Sequence, residues 1–224
     1  MHFYLFALLV VISSQAIPGC VKSEAKSGQL VIINGVSSCG KSQTAKELQS
    51  LLAKSGQPFA LLPFDDFTGM LPKPWVNLDS NAQTEVSADG MRFVIQTDKV
   101  GPKVVIQIGD VARRLRSTAF SASEAIVSSG NNLIFEGVIF PDEFVFAMEK
   151  LKAFNPLRVK VKCSSEVAQK RERERKGFIG LSRGIAEQID PIPETSYDLI
   201  VDTSLITTHE AAQQVFEKLK KGKT

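Results

Sequence analysis

After residue 28 the chain alternates between short apolar runs and longer stretches with helical periodicity. Leu30-Val31-Ile32-Ile33 is unbroken and rich in β-branched residues, the pattern of a strand buried on both faces. Residues 58–64 (PFALLPF) and Leu133-Ile134-Phe135 have the same character. Residues 157–163 alternate instead, with Leu157, Val159, Val161 and Cys163 set against Arg158, Lys160 and Lys162, which predicts a strand nearer an edge of its sheet. Residues 197–201 supply the last run. Between these runs, Ala45, Leu48, Leu51 and Leu52 share one face of a helix starting near Lys41. Val111, Leu115, Phe120, Ala125 and Ile126 do the same over residues 111–129. Residues 141–153, 164–176 and 208–220 complete the helices. Strands and helices in alternation predict an α/β fold of three layers around a mostly parallel five-stranded sheet.

Two regions break the alternation. Residues 71–90 hold Pro72, Pro74 and many Asn, Asp and Ser residues, and read as a loop with a turn near Trp75. Residues 91–96 and 103–108 alternate and are joined by Thr97-Asp98-Lys99-Val100-Gly101-Pro102, a hairpin signature. Placed between the second and third core strands, this hairpin is expected to be an insertion flanking an acceptor pocket. The second irregular region is the start. Residues 3–12 are ten apolar residues in a row, too short to span a bilayer and of the length of a signal-peptide core, although no Lys or Arg precedes them. Ser14-Gln15-Ala16 offers a cleavage site and Cys20 a lipidation site. The alternative is an upstream start codon or a disordered tail. The expected organisation is a signal-peptide or lipoprotein leader over 1–19, a linker over 20–28 and one domain over 29–224.

Composition narrows the function classes. The 27 Lys and Arg residues against 24 Asp and Glu give a net charge of +3 with no basic stripe, which gives no case for nucleic acid as a partner. Three cysteines show no metal-ligand spacing. Cys39 and Cys163 read as reduced, structural thiols and no disulfide framework is indicated.

The candidate chemistry centres on Gly35-Val36-Ser37-Ser38-Cys39-Gly40-Lys41-Ser42, which matches G-x-x-x-x-G-K-[ST] between a predicted strand and a predicted helix. Glycines let several backbone N–H groups converge on one anion, and the helix N-terminus adds its partial positive charge. Lys41 can reach the β- and γ-phosphates, and the Ser42 hydroxyl can ligate Mg²⁺. Asp65-Asp66 follow the second strand, at the strand end where open α/β sheets bind ligands. A carboxylate there can act as general base or Mg²⁺ partner, or cap a helix, and the pair can divide these roles. Adjacent residues leave a strand on opposite sides, so only one of them is expected to point at the loop. Glu136 ends the third strand, where it can hold Mg²⁺ through water, orient an acceptor or cap the next element. Arg171-Glu172-Arg173-Glu174-Arg175 taken alone is a solvated helix face. Beside a phosphate loop its arginines read as a lid that neutralises the transferred phosphoryl group, with Gly177, Gly180 and Gly184 as hinges. Arg113, Arg114 and Arg116 read as a solvated face rather than a phosphate clamp, and His209 as a surface residue.

In this order the segments resemble the chloramphenicol phosphotransferase-like family of small-molecule kinases, from about Leu30 to Ala212. The resemblance rests on Ile33-Asn34-Gly35 through Ser42, Phe64-Asp65-Asp66-Phe67 with Met70-Leu71-Pro72, and Gly130-Asn131-Asn132-Leu133-Ile134. It continues in Arg171-Glu172 with Arg175, and in Tyr197-Asp198-Leu199 with Val201-Asp202-Thr203. It implies a P-loop kinase fold and Mg²⁺- and ATP-dependent phosphorylation of a small-molecule hydroxyl. The family's catalytic carboxylate falls on Asp65 and its lid arginines on Arg171 and Arg175, acting with Lys41. Ser42 and Glu136 are the metal candidates. The chain departs from the family at Gly137, where a second acidic residue is expected, and at Asp190-Pro191, where Gln188 is followed by no His. Its hairpin region is also longer. These departures, with the leader, motivate the alternative of a catalytically degenerate nucleotide-binding sensor or effector. A GTPase is disfavoured because no Asn-Lys-x-Asp segment is present. The expected partner is a small hydroxyl acceptor, with a membrane engaged only through a lipidated Cys20 and the oligomeric state left open. The leader points to export or anchoring, and ATP dependence to the cytoplasm.

Overall fold

The computed structural model describes residues 26–78, 85–176 and 178–222; the expected leader, Cys20 and the hinge at Gly177 lie outside them. The strands are β1 (Leu30–Asn34), β2 (Phe59–Pro63), β3 (Val76–Asn77), β4 (Met91–Asp98), β5 (Gly101–Ile108), β6 (Asn132–Gly137), β7 (Leu157–Lys162) and β8 (Leu199–Asp202). The helices are α1 (Lys41–Lys54), α2 (Phe64–Gly69), α3 (Glu85–Asp89), α4 (Asp110–Ser128), α5 (Pro141–Leu151), α6 (Ser165–Glu174), α7 (Leu181–Ile189) and α8 (Thr208–Lys221).

The main sheet has five strands in the order β2-β6-β1-β7-β8, all paired in parallel. β1 is buried along its whole length, as its unbroken apolar run requires. Leu30 and Ile32 face one layer, packing with Phe120 of α4 and Phe144 of α5. Val31 and Ile33 face the other, with Leu48 of α1 and Val215 of α8. These two apolar layers make the three-layer α/β architecture that the alternation predicts.

One strand sits where its pattern did not place it: β2, whose apolar run predicts a strand buried on both faces, is an edge strand with only Phe59 buried. β7 lies between β1 and the edge strand β8, nearer an edge than β1, as its alternation predicts. Its basic side chains are accommodated without a free edge. Arg158 forms a fork with Asp198 at 2.6 and 2.9 Å, and Lys160 extends over the Tyr197 ring, 5.7 Å from its centroid. Long cationic side chains bury their stems and keep their heads at the surface, so alternation here reports an incompletely covered face.

The inserted hairpin builds a second sheet, β3-β4-β5. Its strands run further than the sequence suggests, pairing as far as Asp98 with Gly101, because the Asp98 carboxylate accepts the Val100 N–H at 2.8 Å and closes a two-residue turn. Gly184 is not a hinge. It lies within α7, where a Cβ would come within 1.9 Å of the Val104 carbonyl oxygen, so its lack of a side chain lets helix and hairpin touch. Among the described residues no helix is long and apolar enough to cross a membrane.

Candidate active site

Register brings the candidate residues together. Ile33 of β1 and Pro63 of β2 both pair with Glu136 of β6, so three adjacent strands end level. The phosphate loop, α2 and the loop after β6 therefore leave the sheet side by side at its C-terminal edge, where the chain from β1 and the chain from β6 diverge in opposite directions.

The loop's shape is fixed by sterics and by two distant anchors. Gly35 has φ 157°, and a Cβ there would lie 2.0 Å from the Val161 carbonyl oxygen. Asn34, fully buried, accepts the Gly35 N–H at 2.8 Å and the Ile139 N–H at 2.9 Å, and donates to the Ile139 carbonyl and the Tyr197 hydroxyl. Burial pushes the Tyr197 hydroxyl up to about 12. At the other end of the loop the Thr203 hydroxyl donates to the Cys39 carbonyl at 2.6 Å. Burial also raises the Cys39 thiol, which acts as apolar filling beneath the loop. Cys163 is a free thiol as well, pushed up to about 11 by burial.

Lys41 opens α1, is 8% exposed, and donates to the Val36 carbonyl at 2.7 Å. Next to it the Ser42 hydroxyl meets the Glu136 carboxylate. Burial raises the pKa of Glu136; Lys41 and the Ser42 hydrogen bond oppose that rise, while Asp65 and Asp66 reinforce it. A buried carboxylate beside a hydroxyl, at a phosphate loop, offers the oxygen donors that Mg²⁺ favours when it takes its remaining ligands from phosphate and water. The described residues contain no group of three or more His, Cys, Asp and Glu gathered as a metal site.

Asp65 and Asp66 do not leave a strand on opposite sides. They occupy the first turn of α2, which begins immediately after β2 with Pro63 at its N-cap and no side-chain cap. Neither aspartate is therefore a cap, and the turn separates them by about 100° rather than by a strand's half-turn. Asp65 lines a cavity of about 370 Å³ together with Lys41, Ser42 and Arg175. That cavity continues away from the loop along Met91, Phe93, Ile106, Val138, Phe140, Leu181 and Ile185. The hairpin is thus the wall of a pocket that begins at the phosphate loop. A larger cavity, about 550 Å³, lies at the opposite end of the sheet beside Gln29, Leu157 and Lys218, remote from these groups.

The two lid arginines stand differently. Arg171 donates to the Thr203 hydroxyl and carbonyl, both at 2.9 Å, and to the Ser38 carbonyl at 3.3 Å. Arg175 reaches the Ser38 hydroxyl and is otherwise exposed. Of the charge run, Glu172 is not solvated but 2% exposed. Arg116 likewise is not on a solvated face. It is 2% exposed, forms a fork with Glu143 at 2.6 and 2.9 Å, donates to the Val138 carbonyl at 2.9 Å, and lies 3.9 Å from the Phe64 ring centroid. The buried stripe of α4 is Ala112, Arg116, Ala119, Phe120, Ser123 and Val127. Its helical spacing is the signal that could have placed Arg116 inside. Arg113 and Asp142 do form an exposed pair at 2.6 Å, and His209 is exposed beside Glu47.

Gly137 has a packing cause, since a Cβ there would lie 2.4 Å from that of Phe64. Gln188 holds β5, accepting the Ile106 N–H at 2.9 Å and donating to its carbonyl at 2.8 Å.

Comparison with known proteins gives a consistent picture. Residues 28–220 match the family model described as chloramphenicol phosphotransferase-like protein. Two relatives from Mycobacterium tuberculosis, strains CDC 1551 and H37Rv, named provisionally as O-phosphotransferases, are each 30% identical over 200 residues, covering 85% of this chain and 81% of theirs. The fold is that of P-loop kinases. An APS kinase from Mycobacterium tuberculosis, solved with AMPPNP and APS, superposes with a TM-score of 0.57 at 14% identity, over 87% of this chain and 98% of its own. Thymidylate kinase from Candida albicans superposes with a TM-score of 0.55 at 17% identity, over 88% and 93%.

Proposed function

The chain belongs to the chloramphenicol phosphotransferase-like family, and from that premise we propose that this phosphotransferase moves the γ-phosphoryl group of ATP to a hydroxyl of a neutral small molecule. The observation that carries the reading is the continuous cavity from Lys41 and Ser42, past Asp65, to an apolar wall. The acceptor oxygen attacks the γ-phosphorus as the bond to the β,γ-bridging oxygen breaks, and Asp65 takes the hydroxyl proton. Lys41, the loop N–H groups and Arg175 face the charge that spreads over the transferred group. Arg171, already committed to Thr203 and the Ser38 carbonyl, holds the loop and the lid helix in register. Ser42 and Glu136 would hold Mg²⁺, which when bound neutralises β- and γ-phosphate charge.

Charge at the acceptor end favours an uncharged substrate. Lys41 and Arg175 face the phosphates, Arg116 is neutralised in place by Glu143, and the remaining charge is the carboxylate of Asp65. Among the described residues an anionic acceptor would find no free cation there and one carboxylate. The test is incubation of the purified protein with γ-labelled ATP, Mg²⁺ and a panel of small alcohols. Label in a neutral alcohol is expected. ATP binding with no label in any acceptor would turn the reading to a nucleotide-binding sensor.

A further inference from the structure

The chemistry above makes no use of the buried carboxylate of Glu172. Its neighbours Arg173 and Glu174 are exposed, yet Glu172 is 2% exposed. Each of its oxygens accepts one backbone N–H, from Gly180 at 3.1 Å and from Ser182 at 2.5 Å. Those amides open α7, whose N-cap is Gly180 with φ 87°. Glycine brings no capping side chain, so Glu172 supplies the acceptor from the neighbouring helix.

Glu172 thereby joins two groups of residues that the reaction must bring together. On α6 it stands between Arg171 and Arg175, both bonded to the phosphate loop. Beyond it, α7 is fastened to the hairpin. The Val104 N–H donates to the Gly180 carbonyl at 3.0 Å, the Gln188 amide brackets Ile106, and Arg183 and Lys103 pair with Asp98 and Glu187 at 3.0 and 2.5 Å. Leu181, Ile185 and Ile106 face the acceptor cavity. An unbroken series of contacts thus runs from the phosphate loop through Glu172 to the acceptor wall.

We propose that Glu172 is a positioning residue that makes the acceptor wall respond to the nucleotide, so that Arg175 and the α7–hairpin unit set together and the two substrates bind cooperatively. The proposal rests on the reading of the loop as an ATP site. Glutamine in place of Glu172 keeps the size but turns an N–H donor toward one of two N–H donors, so one link breaks.

Amide hydrogen exchange on the full chain, with and without Mg²⁺ and AMPPNP, tests it. In the wild type the analogue should slow exchange at the phosphate-loop amides and, several-fold, at Ser182, Val104 and Ile106. In Glu172→Gln the loop response should persist while the α7 and hairpin response falls away. Equal responses in both proteins overturn the proposal. Protection of the loop alone in the wild type also overturns it and leaves the nucleotide reading standing, whereas no protection anywhere removes both. If Glu172→Gln does not fold, Glu172→Asp, which keeps the charge but withdraws the oxygens by one methylene, is read by the same criteria.

Discussion

The phosphate-loop end of the cavity is held by buried polar groups bonded to backbone, while the acceptor end is held by apolar packing and one neutralised ion pair. At the first end Asn34, Thr203 and Arg171 together bond Gly35, Ile139, Cys39 and Ser38, each through a backbone atom. The loop is thereby fixed in shape; Lys41 and Ser42 face the cavity from its end, and Arg175 faces it from the end of α6. At the second end Phe93, Ile106, Phe140 and Leu181 form the wall, and the buried cation Arg116 is matched by Glu143. On the proposed function this contrast lets one cavity serve two substrates. A triphosphate would be read by charge and by rigid donors, placed on a backbone fixed by Asn34, Thr203 and Arg171. An uncharged acceptor would be read by shape, on a wall carried by the inserted hairpin.

The largest effect should come from removing charge at the first end. Lys41→Ala is expected to abolish turnover and weaken nucleotide binding, with the melting temperature nearly unchanged because among the described residues the ammonium's hydrogen bond is to the Val36 carbonyl. Titration with AMPPNP beside a thermal melt checks both halves of that statement. At the boundary between the ends, Asp65→Asn should lower kcat by about 10²–10⁴-fold and leave nucleotide affinity intact. Asp66→Asn should cost under about 1 kcal/mol, since that residue only complements the first turn of α2. Single-turnover transfer and melts of both variants separate the two aspartates; a reversed pattern would put the base on Asp66.

At the second end, Glu143→Ala leaves Arg116 buried without its partner. A loss of about 3–5 kcal/mol in denaturant unfolding is expected, with the nucleotide affinity of the folded fraction unchanged. The smallest effect concerns Glu136. Burial raises its pKa, so the folded protein binds this proton more tightly than the unfolded chain. Its contribution to stability is full below the unfolded value near 4.5 and is lost as pH rises through the raised folded value. Without Mg²⁺, Glu136→Gln should therefore melt a few degrees above wild type at neutral pH and level with it in acid, at about 2–4 °C per kcal/mol. Wild type should be stabilised by Mg²⁺ with AMPPNP more than the variant is.

What the sequence made legible follows from how locally each feature is determined. β1 and the phosphate loop could be read because one strand buried on both faces, and one loop of fixed geometry, constrain their own residues. β2 was misread as buried on both faces because an apolar run does not show a strand's place in the hydrogen-bond order. Asp65 and Asp66 were assigned by strand logic although α2 starts at Phe64, before either of them. Arg116 and Glu172 looked solvated because charge in a sequence does not show its partner. Glu143 lies 27 residues from Arg116, and the amides that hold Glu172 belong to the next helix. Asn34 and Tyr197, from the first and last motif segments, meet across 163 residues, which gives their joint presence a physical basis.

The measurement that tests the contrast between the two ends most directly is a competition between matched acceptors. Neutral alcohols that accept label from γ-labelled ATP would be paired with anionic counterparts that keep the same hydroxyl but carry a carboxylate or sulfate. The account predicts that kcat/KM favours the neutral member of each pair by at least about 10-fold, or about 1.4 kcal/mol, with ATP affinity the same for both. Consistent preference for the anionic member would contradict it, because the acceptor end would then have to hold a cation that Glu143 does not neutralise.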